Sequence, residues 1–366
     1  MSLSFETLNR NKPLRNLVLL AGATALSVVA AVVAVSVQEK GVRAQFTPVQ
    51  MYPGIETRLD QIGKIVYMLP RGMRDPATIT LKRDADNKWV VEERQNYPAD
   101  QALVQKALIG VSELQLYQPR TSRKEWLRPL GLVEPENLGK AVRVELFNRD
   151  GEKVVGLLAG KVPEQTLDAR GEGMIYLRRD GEDQSWLARG RLPLIQKAQD
   201  WLDQRFLGVE RKEIKRVTLW AGSETPVVLS RASADVNDFS IENIPEGLTT
   251  RGAPIVNGAA TAIVDLVFED AVPVGSLDFP DTSPVAVVET FDGLKLTFVL
   301  TGGGGALWSK VVASVEPDGA DVAAAQAKAD EINARVAAWA YKLPQTTGGQ
   351  LTQSMSLLTH EGGIGN

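Results

Sequence analysis

Two residue types that often perform catalysis, cysteine and histidine, are scarce in this 366-residue chain, and neither forms a catalytic pattern. The chain has no cysteine, which excludes thiolate nucleophiles, disulfides and cysteine zinc sites. Its one histidine, His360, is close to the C-terminal end, where side chains are rarely held well enough for Ser-His-Asp chemistry. We therefore predict no catalytic residue, no metal site and no cofactor, and we do not expect an enzyme.

Two motifs suggest ligand binding but lack the residues that it requires. Thr301–Ala306 is glycine-rich, yet the Gly-Lys-Ser/Thr ending of a phosphate-binding loop is missing, and Leu307–Lys310 after it predicts a strand. Asp84 and Asp86 suit calcium, but an EF-hand loop needs a central glycine where Trp89 stands. The first motif therefore predicts a loop between strands, and the second predicts a hairpin turn.

The longest apolar segment of the chain, Leu17–Val37, contains no charged residue. A helix of about 20 apolar residues spans a bilayer core of about 30 Å. The basic residues before this segment outnumber the acidic ones, which favours a cytoplasmic side for them. We predict a cytoplasmic N-terminus at residues 1–15, a transmembrane anchor at 16–38, and a body on the other side of the membrane.

A cleaved signal peptide is the alternative to an anchor. Ala34 and Ser36 would then be the small residues before a cut at Val37. The apolar region of a signal peptide usually runs about 7–15 residues, and this segment is longer, so its length favours the anchor.

One face of the predicted anchor carries small side chains. Ala23, Ser27 and Ala31 recur at every fourth residue, which lets two membrane helices approach closely. We predict that these three residues form an interface with a partner membrane protein. The alternative is that alanine is simply common in membrane helices.

The rest of the chain has the composition of a globular protein, because 44% of the whole chain is apolar and 23% is charged. The net charge of -4 argues against a nucleic-acid partner, which requires a basic surface. It also argues against an extended basic surface that binds membranes. We expect about two of six tryptophans to be exposed, because tryptophan is mostly but not fully buried; they are Trp126, Trp186, Trp201, Trp220, Trp308 and Trp339.

The body shows one order of elements twice. Strand-like Ala77–Leu81, a polar turn and Trp89–Val91 come before Asp100, which is a good N-cap for an amphipathic helix, and a hairpin turn follows at Asp150-Gly151. In the second half, Val227–Leu229, a polar turn and Phe239–Ile241 precede a helix-like segment from Val256 to Val267, with a hairpin turn at Asp292-Gly293.

This order predicts an α+β fold with two similar units, residues 45–205 and 206–345, produced by internal duplication, and a flexible tail at 346–366. The alternative is a chance likeness between two ordinary α+β stretches. A late helix is predicted from about Asp321 to Tyr341, with an apolar stripe that packs against the core or against a partner.

Several short motifs resemble the bacterial domain of unknown function 4340 (DUF4340) over most of residues 60–345. They are Trp89–Val91, Tyr97–Asp100 with its helix, Leu130–Leu132, Val142–Leu146, Leu158–Lys161, Ile175–Arg178, Ser185–Leu187 and Trp339–Pro344. The resemblance implies an envelope protein with a single N-terminal anchor. Members of this family are often encoded beside an ABC transporter of the gliding-motility type, with its permease and a large auxiliary membrane subunit. The resemblance implies no catalytic residues.

Two functions are consistent with these observations. The first is a membrane-anchored accessory subunit of such a transport complex, a scaffold or substrate-engaging module without catalysis, located in the bacterial inner membrane with its body in the periplasm. Its partners would be the lipid bilayer through residues 16–38, the ABC permease and the auxiliary subunit, with no nucleic acid or nucleotide. The alternative is an envelope protein that binds a ligand in a cleft between the two units.

Overall fold

The computed structural model describes seven helical residues between Asn16 and Val29, and then residues 47–163, 173–222, 225–303, 305–317 and 321–361. Residues 1–15 and most of the predicted anchor at 16–38 lie outside the described residues. In the part of the chain that is described, we find no helix with the length and apolar character needed to cross a bilayer.

Beyond residue 46, the described chain is rich in short and medium strands. These are β1 Val49–Gln50, β2 Ile62–Arg71, β3 Arg74–Arg83, β4 Trp89–Val91, β5 Tyr97–Pro98, β6 Gln115–Pro119, β7 Val142–Asn148, β8 Lys153–Ala159, β9 Met174–Arg179, β10 Ser185–Arg189, β11 Ile214–Trp220, β12 Val227–Ser230, β13 Ser240–Ile241, β14 Leu248–Thr250, β15 Asp270–Pro273, β16 Val285–Thr290, β17 Leu294–Gly303, β18 Ala306–Val315, β19 Trp339–Leu343 and β20 Thr359–Glu361.

The helices are fewer, and most of them are short. The α-helices are α1 Gln101–Ser112, α2 Leu127–Leu130, α3 Ala253–Ala260, α4 Val322–Val336, α5 Gln345–Leu351 and α6 Met355–Leu358. Short 3₁₀-helices lie at Ile55–Gln61, Glu92–Arg94, Lys124–Trp126, Pro135–Asn137, Ala198–Trp201, Arg211–Glu213 and Val274–Ser276. The protein is therefore α+β, as predicted.

Two antiparallel sheets form the body. The ten-stranded sheet has the order β1-β6-β10-β9-β8-β7-β2-β3-β4-β5, and the eight-stranded sheet has the order β13-β12-β11-β16-β17-β18-β19-β15. Eight strands of the first sheet, β4-β3-β2-β7-β8-β9-β10-β6, follow the same path along the chain as the eight of the second. The helices α1 and α3 also stand at matching places, before β6 and β15.

Local chemistry explains the elements that the sequence predicts well. The Asp100 carboxylate begins α1 by accepting hydrogen bonds from the backbone N–H groups of Ala102 (2.9 Å) and Leu103 (3.1 Å). The hairpin turns between β7 and β8 and between β16 and β17 contain Gly151 (φ 84°) and Gly293 (φ 98°), in the left-handed region that glycine occupies at little cost. Each of these turns was predicted from its Asp-Gly pair.

The N-cap gives a direct test of helix α1. We expect Asp100→Ala to lower the free energy of unfolding by about 1 kcal/mol, because two backbone N–H groups lose their acceptor. Asp100→Ser is the matched control, since its hydroxyl can accept the same bonds and should keep most of the stability. Urea unfolding followed by circular dichroism measures both, and equal losses in the two variants would show that capping is not the cause.

Two predicted helical segments end differently in the structure. The helix predicted from Val256 to Val267 stops at Ala260, because the Thr261 hydroxyl bonds back to the Asn257 carbonyl (2.7 Å) and the chain then turns. The predicted late helix stops at Val336, and Trp339–Leu343 is strand β19 instead.

The predicted flexible tail differs from the structure over residues 346–361. Leu351 and Leu358 are fully buried in the core, and strand β20 pairs with β14. Apolar burial outweighs the conformational freedom that the glycines of this segment would give. Residues 362–366 of the predicted tail lie outside the described residues.

Candidate functional site

Five aromatic side chains meet where the part of the chain with the ten-stranded sheet joins the part with the eight-stranded sheet, and we call these parts the first and the second unit. Tyr97 comes from β5 in the first unit, Phe206 from the connecting segment, Phe268 from just before β15, and Trp339 and Tyr341 from β19. Tyr97 stacks edge-on against Trp339 (4.8 Å between ring centroids) and Phe268 (5.7 Å). Phe206 lies 4.6 Å from Tyr341 and 5.4 Å from Phe268. We call these five residues the junction cluster.

Polar contacts reinforce the junction cluster at its edge. The Arg94 Nε donates to an Asp270 carboxylate oxygen at 2.7 Å, and its Nη2 donates to the Gln199 side-chain oxygen at 3.0 Å. Both side chains of this ion pair are about three-quarters buried, at 25% and 22% exposed. The Tyr97 hydroxyl donates to the Asp203 carbonyl at 3.3 Å. Opposite charges attract more strongly where protein partly replaces the surrounding water, and the Arg94–Asp270 pair joins the first unit to the second.

The segment that connects the units is itself packed on the first unit. Trp201 is fully buried and lies 5.2 Å from the ring of Tyr67. The backbone N–H of Asp100 donates to the Trp201 carbonyl at 2.8 Å, and Ala99 pairs with Leu202 as an isolated bridge. This segment is therefore structured and is not a loose linker, which limits movement between the units.

Burial also sets the protonation of the junction tyrosines. It raises the pKa of Tyr97 to about 12, and it raises the pKa of Tyr341 further from its ordinary value. Both hydroxyls therefore stay protonated at neutral pH. Both rings pack in the junction cluster, the Tyr97 hydroxyl also donates a hydrogen bond, and neither residue is a phenolate at neutral pH.

A groove of about 590 Å³ runs beside the junction cluster. Its walls are residues 202–210 of the connecting segment together with Ile263, Asp265, Leu266 and Val267 after α3, and Asp100 and Asp200 also line it. Several of its carboxylates already have partners: Asp100 caps α1, Asp203 contacts Arg205, and Glu210 pairs with Lys212. The groove could hold a partly apolar molecule.

The predicted interface residues of the anchor are only partly described. Ala23 and Ser27 are helical and exposed, and the Ser27 hydroxyl donates to the Thr24 carbonyl at 2.9 Å. Ala31 lies outside the described residues. The small face therefore stays a prediction.

The residues weighed for chemistry occupy structural positions. His360 lies on β20, where its Nε2 is 3.3 Å from the Thr249 hydroxyl. Asp84 closes the β3–β4 hairpin turn, as predicted, with its backbone N–H on the Lys88 carbonyl at 2.8 Å. Gly302 and Gly303 end β17 at its hairpin with β18. No group of three or more acidic or histidine side chains suited to a metal occurs in the described residues.

Two tryptophans of the six are exposed, as predicted: Trp126 at 57% and Trp220 at 42%. The junction, in contrast, was not predicted. Arg94 and Asp270 are 176 positions apart, and neither belongs to a motif. The only signal for the junction is the run of aromatic residues around Phe206 and Tyr341, which also suits an ordinary core.

Comparisons with curated proteins and with solved structures found no match. Comparison with protein-family models found one that is described as a domain of unknown function (DUF4340), which matches residues 89–276. The match covers just over half of the 366-residue chain. It begins at β4 and extends past β15, so it includes both sides of the junction. The chain belongs to the DUF4340 family.

Proposed function

We propose that this protein is a membrane-anchored, extracytoplasmic accessory subunit of a gliding-motility-type ABC transport complex. It would act as a scaffold or substrate-engaging module, without catalysis. Residues 16–38 would hold it in the bacterial inner membrane with its body in the periplasm. The observation that carries the proposal is the junction, because its buried contacts join the two units.

A rigid body suits a scaffold better than a ligand-capturing cleft. The junction cluster and the Arg94–Asp270 pair occupy the space where a cleft between hinged units would have to open. Opening it would expose Phe268 and Tyr341, both fully buried, to water. A fixed body keeps its surfaces at a constant distance from its anchor, which is what a structural subunit requires.

We also propose that the two units arose by internal duplication. The shared order of eight strands in the two sheets and the matching places of α1 and α3 support this. The sheets differ by additions: β1 and β5 extend the first sheet, and helix α4 is inserted before β19 in the second.

The groove beside the junction keeps the second candidate function open. In an envelope ligand-binding protein, the groove would be the binding site. Its volume of about 590 Å³ is within the range of small-molecule sites. Phe206, Leu207 and Val267 give it an apolar wall. A lipid or peptide with an apolar part would fit that chemistry, and it would occupy the groove without any opening of the junction.

Affinity purification of the full-length protein from native membranes in mild detergent, with mass spectrometry, tests the first function. We expect a permease and a large auxiliary subunit in stoichiometric amounts. Replacing Ala23, Ser27 and Ala31 together by leucine should reduce their recovery at least tenfold, because bulky side chains prevent close helix contact.

The matched control places leucine on the opposite face of the predicted anchor, at Ala21 and Ala25. Each of these residues is two positions from Ala23, which is about 200° around an α-helix, so the double leucine variant should retain the partners. Recovery of the wild-type protein alone would contradict the subunit proposal. In that case, extraction of a stoichiometric small molecule from the purified protein would favour the groove.

A further inference from the structure

A short exposed segment of the first unit is strongly basic, although the whole chain has a net charge of -4. Between β6 and the end of α2 it carries Arg120, Arg123, Lys124 and Arg128 against the single acid Glu125. All five side chains are exposed. Within the described residues, the one ion pair of this group joins Lys124 to Asp183 at 4.0 Å. The three arginines are therefore available to an anion. We call residues 117–130 the basic segment.

The basic segment is held in place by buried contacts. Ser185, fully buried at the start of β10, accepts from the Thr121 backbone N–H (3.0 Å) and donates to the Thr121 carbonyl (2.7 Å). The Arg120 guanidinium lies 5.7 Å from the ring centroid of Tyr176. Leu127 packs in a small second core with Leu158. The arginines thus project from an ordered backbone, which lowers the entropy lost when they bind.

Aromatic side chains accompany these charges. Trp126 is 57% exposed and Tyr117 is 37% exposed. A shallow depression of about 410 Å³ lies beside Trp126, between Arg120 and Arg123 on one side and Pro129 and Leu130 on the other. Tryptophan and tyrosine prefer the boundary between lipid and water, and arginine binds phosphate with two parallel hydrogen bonds.

The direction of β1 relates the basic segment to the predicted anchor. Strand β1 pairs antiparallel with β6, with Val49 opposite Leu116. From Gln50 back to Val49, β1 therefore advances along β6 in the direction of Arg120. Ten residues, 39–48, separate the predicted anchor from β1, and they can span at most about 35 Å. The basic segment is thus next to the point where the chain reaches the body.

We propose that the basic segment lies against the outer surface of the membrane that holds the anchor and binds the phosphates of anionic lipid headgroups. The proposal rests on the anchor of the proposed function and adds a second attachment. A body attached only through its anchor can rotate freely above the membrane. A second attachment, through lipid headgroups at the basic segment, fixes which face of the body points away from the membrane.

The absence of cysteine makes a clean test possible, because a single introduced cysteine is the only labelling site. Full-length protein with Ser122→Cys, in the basic segment, carries a fluorophore and is reconstituted in vesicles of phosphatidylcholine with or without phosphatidylglycerol. Spin-labelled lipids with the label near the headgroup quench the fluorophore on contact. Ala327→Cys, exposed on α4 of the second unit, is the matched control site.

With phosphatidylglycerol present, we expect quenching at position 122 to exceed that at position 327 several-fold, and to fall in high salt. Replacing Arg120, Arg123 and Arg128 by glutamine should lower it to the level of position 327. Glutamine at Arg71, Arg74 and Lys88, which are exposed elsewhere, removes the same charge and should leave quenching unchanged.

Equal quenching at the two sites, or no response to the arginine variant, would overturn the proposal. If that variant keeps its quenching but loses the transporter subunits on purification, the segment contacts a protein. Washing the vesicles with alkali distinguishes a failure of the predicted anchor from a failure of the lipid contact at the basic segment. Protein that is washed off would refute the anchor, whereas retained protein without lipid contact would refute only the role of the basic segment.

Discussion

Replacing Phe268 by alanine is expected to lower the free energy of unfolding by about 3–5 kcal/mol and to split unfolding into two transitions. Phe268 is fully buried and its ring contacts three members of the junction cluster: Tyr97, Phe206 and Tyr341. Its loss leaves a cavity at the point where the units are joined. Each unit has its own sheet and would keep most of its structure, so the two units should unfold separately.

Phe298→Ala is the matched control, because Phe298 is equally buried but lies on β17, inside the second unit. It should cost a similar free energy while the protein still unfolds in one transition. Differential scanning calorimetry distinguishes the two patterns, and hydrogen exchange assigns each transition to a unit. A single transition in both variants would mean that the junction does not couple the units, and the scaffold proposal would lose its main support.

The parts of the fold that the sequence predicts are those decided within a few residues. Asp100 caps its helix whatever lies nearby, and the Asp-Gly pairs make their turns through glycine conformation alone. Where tertiary contacts determine the secondary structure, local sequence patterns predict the wrong element. Trp339 fits the apolar stripe of the predicted late helix, but β19 pairs with both β18 and β15, and the hydrogen bonds of two neighbouring strands outweigh the helical pattern.

The same limit applies to the candidate site. Arg94 and Asp270 carry no local signal of their pairing, since the fold alone brings them together. The basic segment is a different case, because its four cations within nine positions are visible in the sequence. The net charge of -4 argued against a basic membrane-binding surface, but an average over the chain conceals a local cluster. Charge counted in short windows would have found it.

The second large effect on stability is expected from replacing Arg178, which binds the chain just after the basic segment. Arg178 is 5% exposed and donates to the Glu182 carbonyl (2.8 Å), to the Leu132 carbonyl (3.4 Å) and to the carboxylate of Glu134. Arg178→Leu would leave that carboxylate without its cation. Because Glu134 is about a quarter exposed, we expect a loss of about 2–3 kcal/mol at neutral pH, below the cost for a fully buried pair.

The pH dependence of this loss identifies its cause. Burial by itself would raise the pKa of Glu134, but hydrogen bonds from its own backbone N–H and from Arg178 outweigh burial and hold the pKa below its ordinary value of 4.5. A carboxyl group whose pKa is lower in the folded state stabilises the protein above its ordinary pKa, and this contribution disappears as the pH falls through the folded-state pKa. The gap between wild type and Arg178→Leu should therefore narrow below about pH 4.5.

Urea unfolding of wild type, Arg178→Leu, Glu134→Gln and the double variant, at neutral and acidic pH, completes the test. The double variant should be more stable than Arg178→Leu at neutral pH, since no charge is left unpaired. A loss that stays constant with pH would instead indicate missing packing around Leu132. Arg178 also binds the carbonyl of Leu132 in the chain that follows α2. Arg178→Leu should therefore weaken lipid quenching at position 122, because the small core that it stabilises also positions the basic segment.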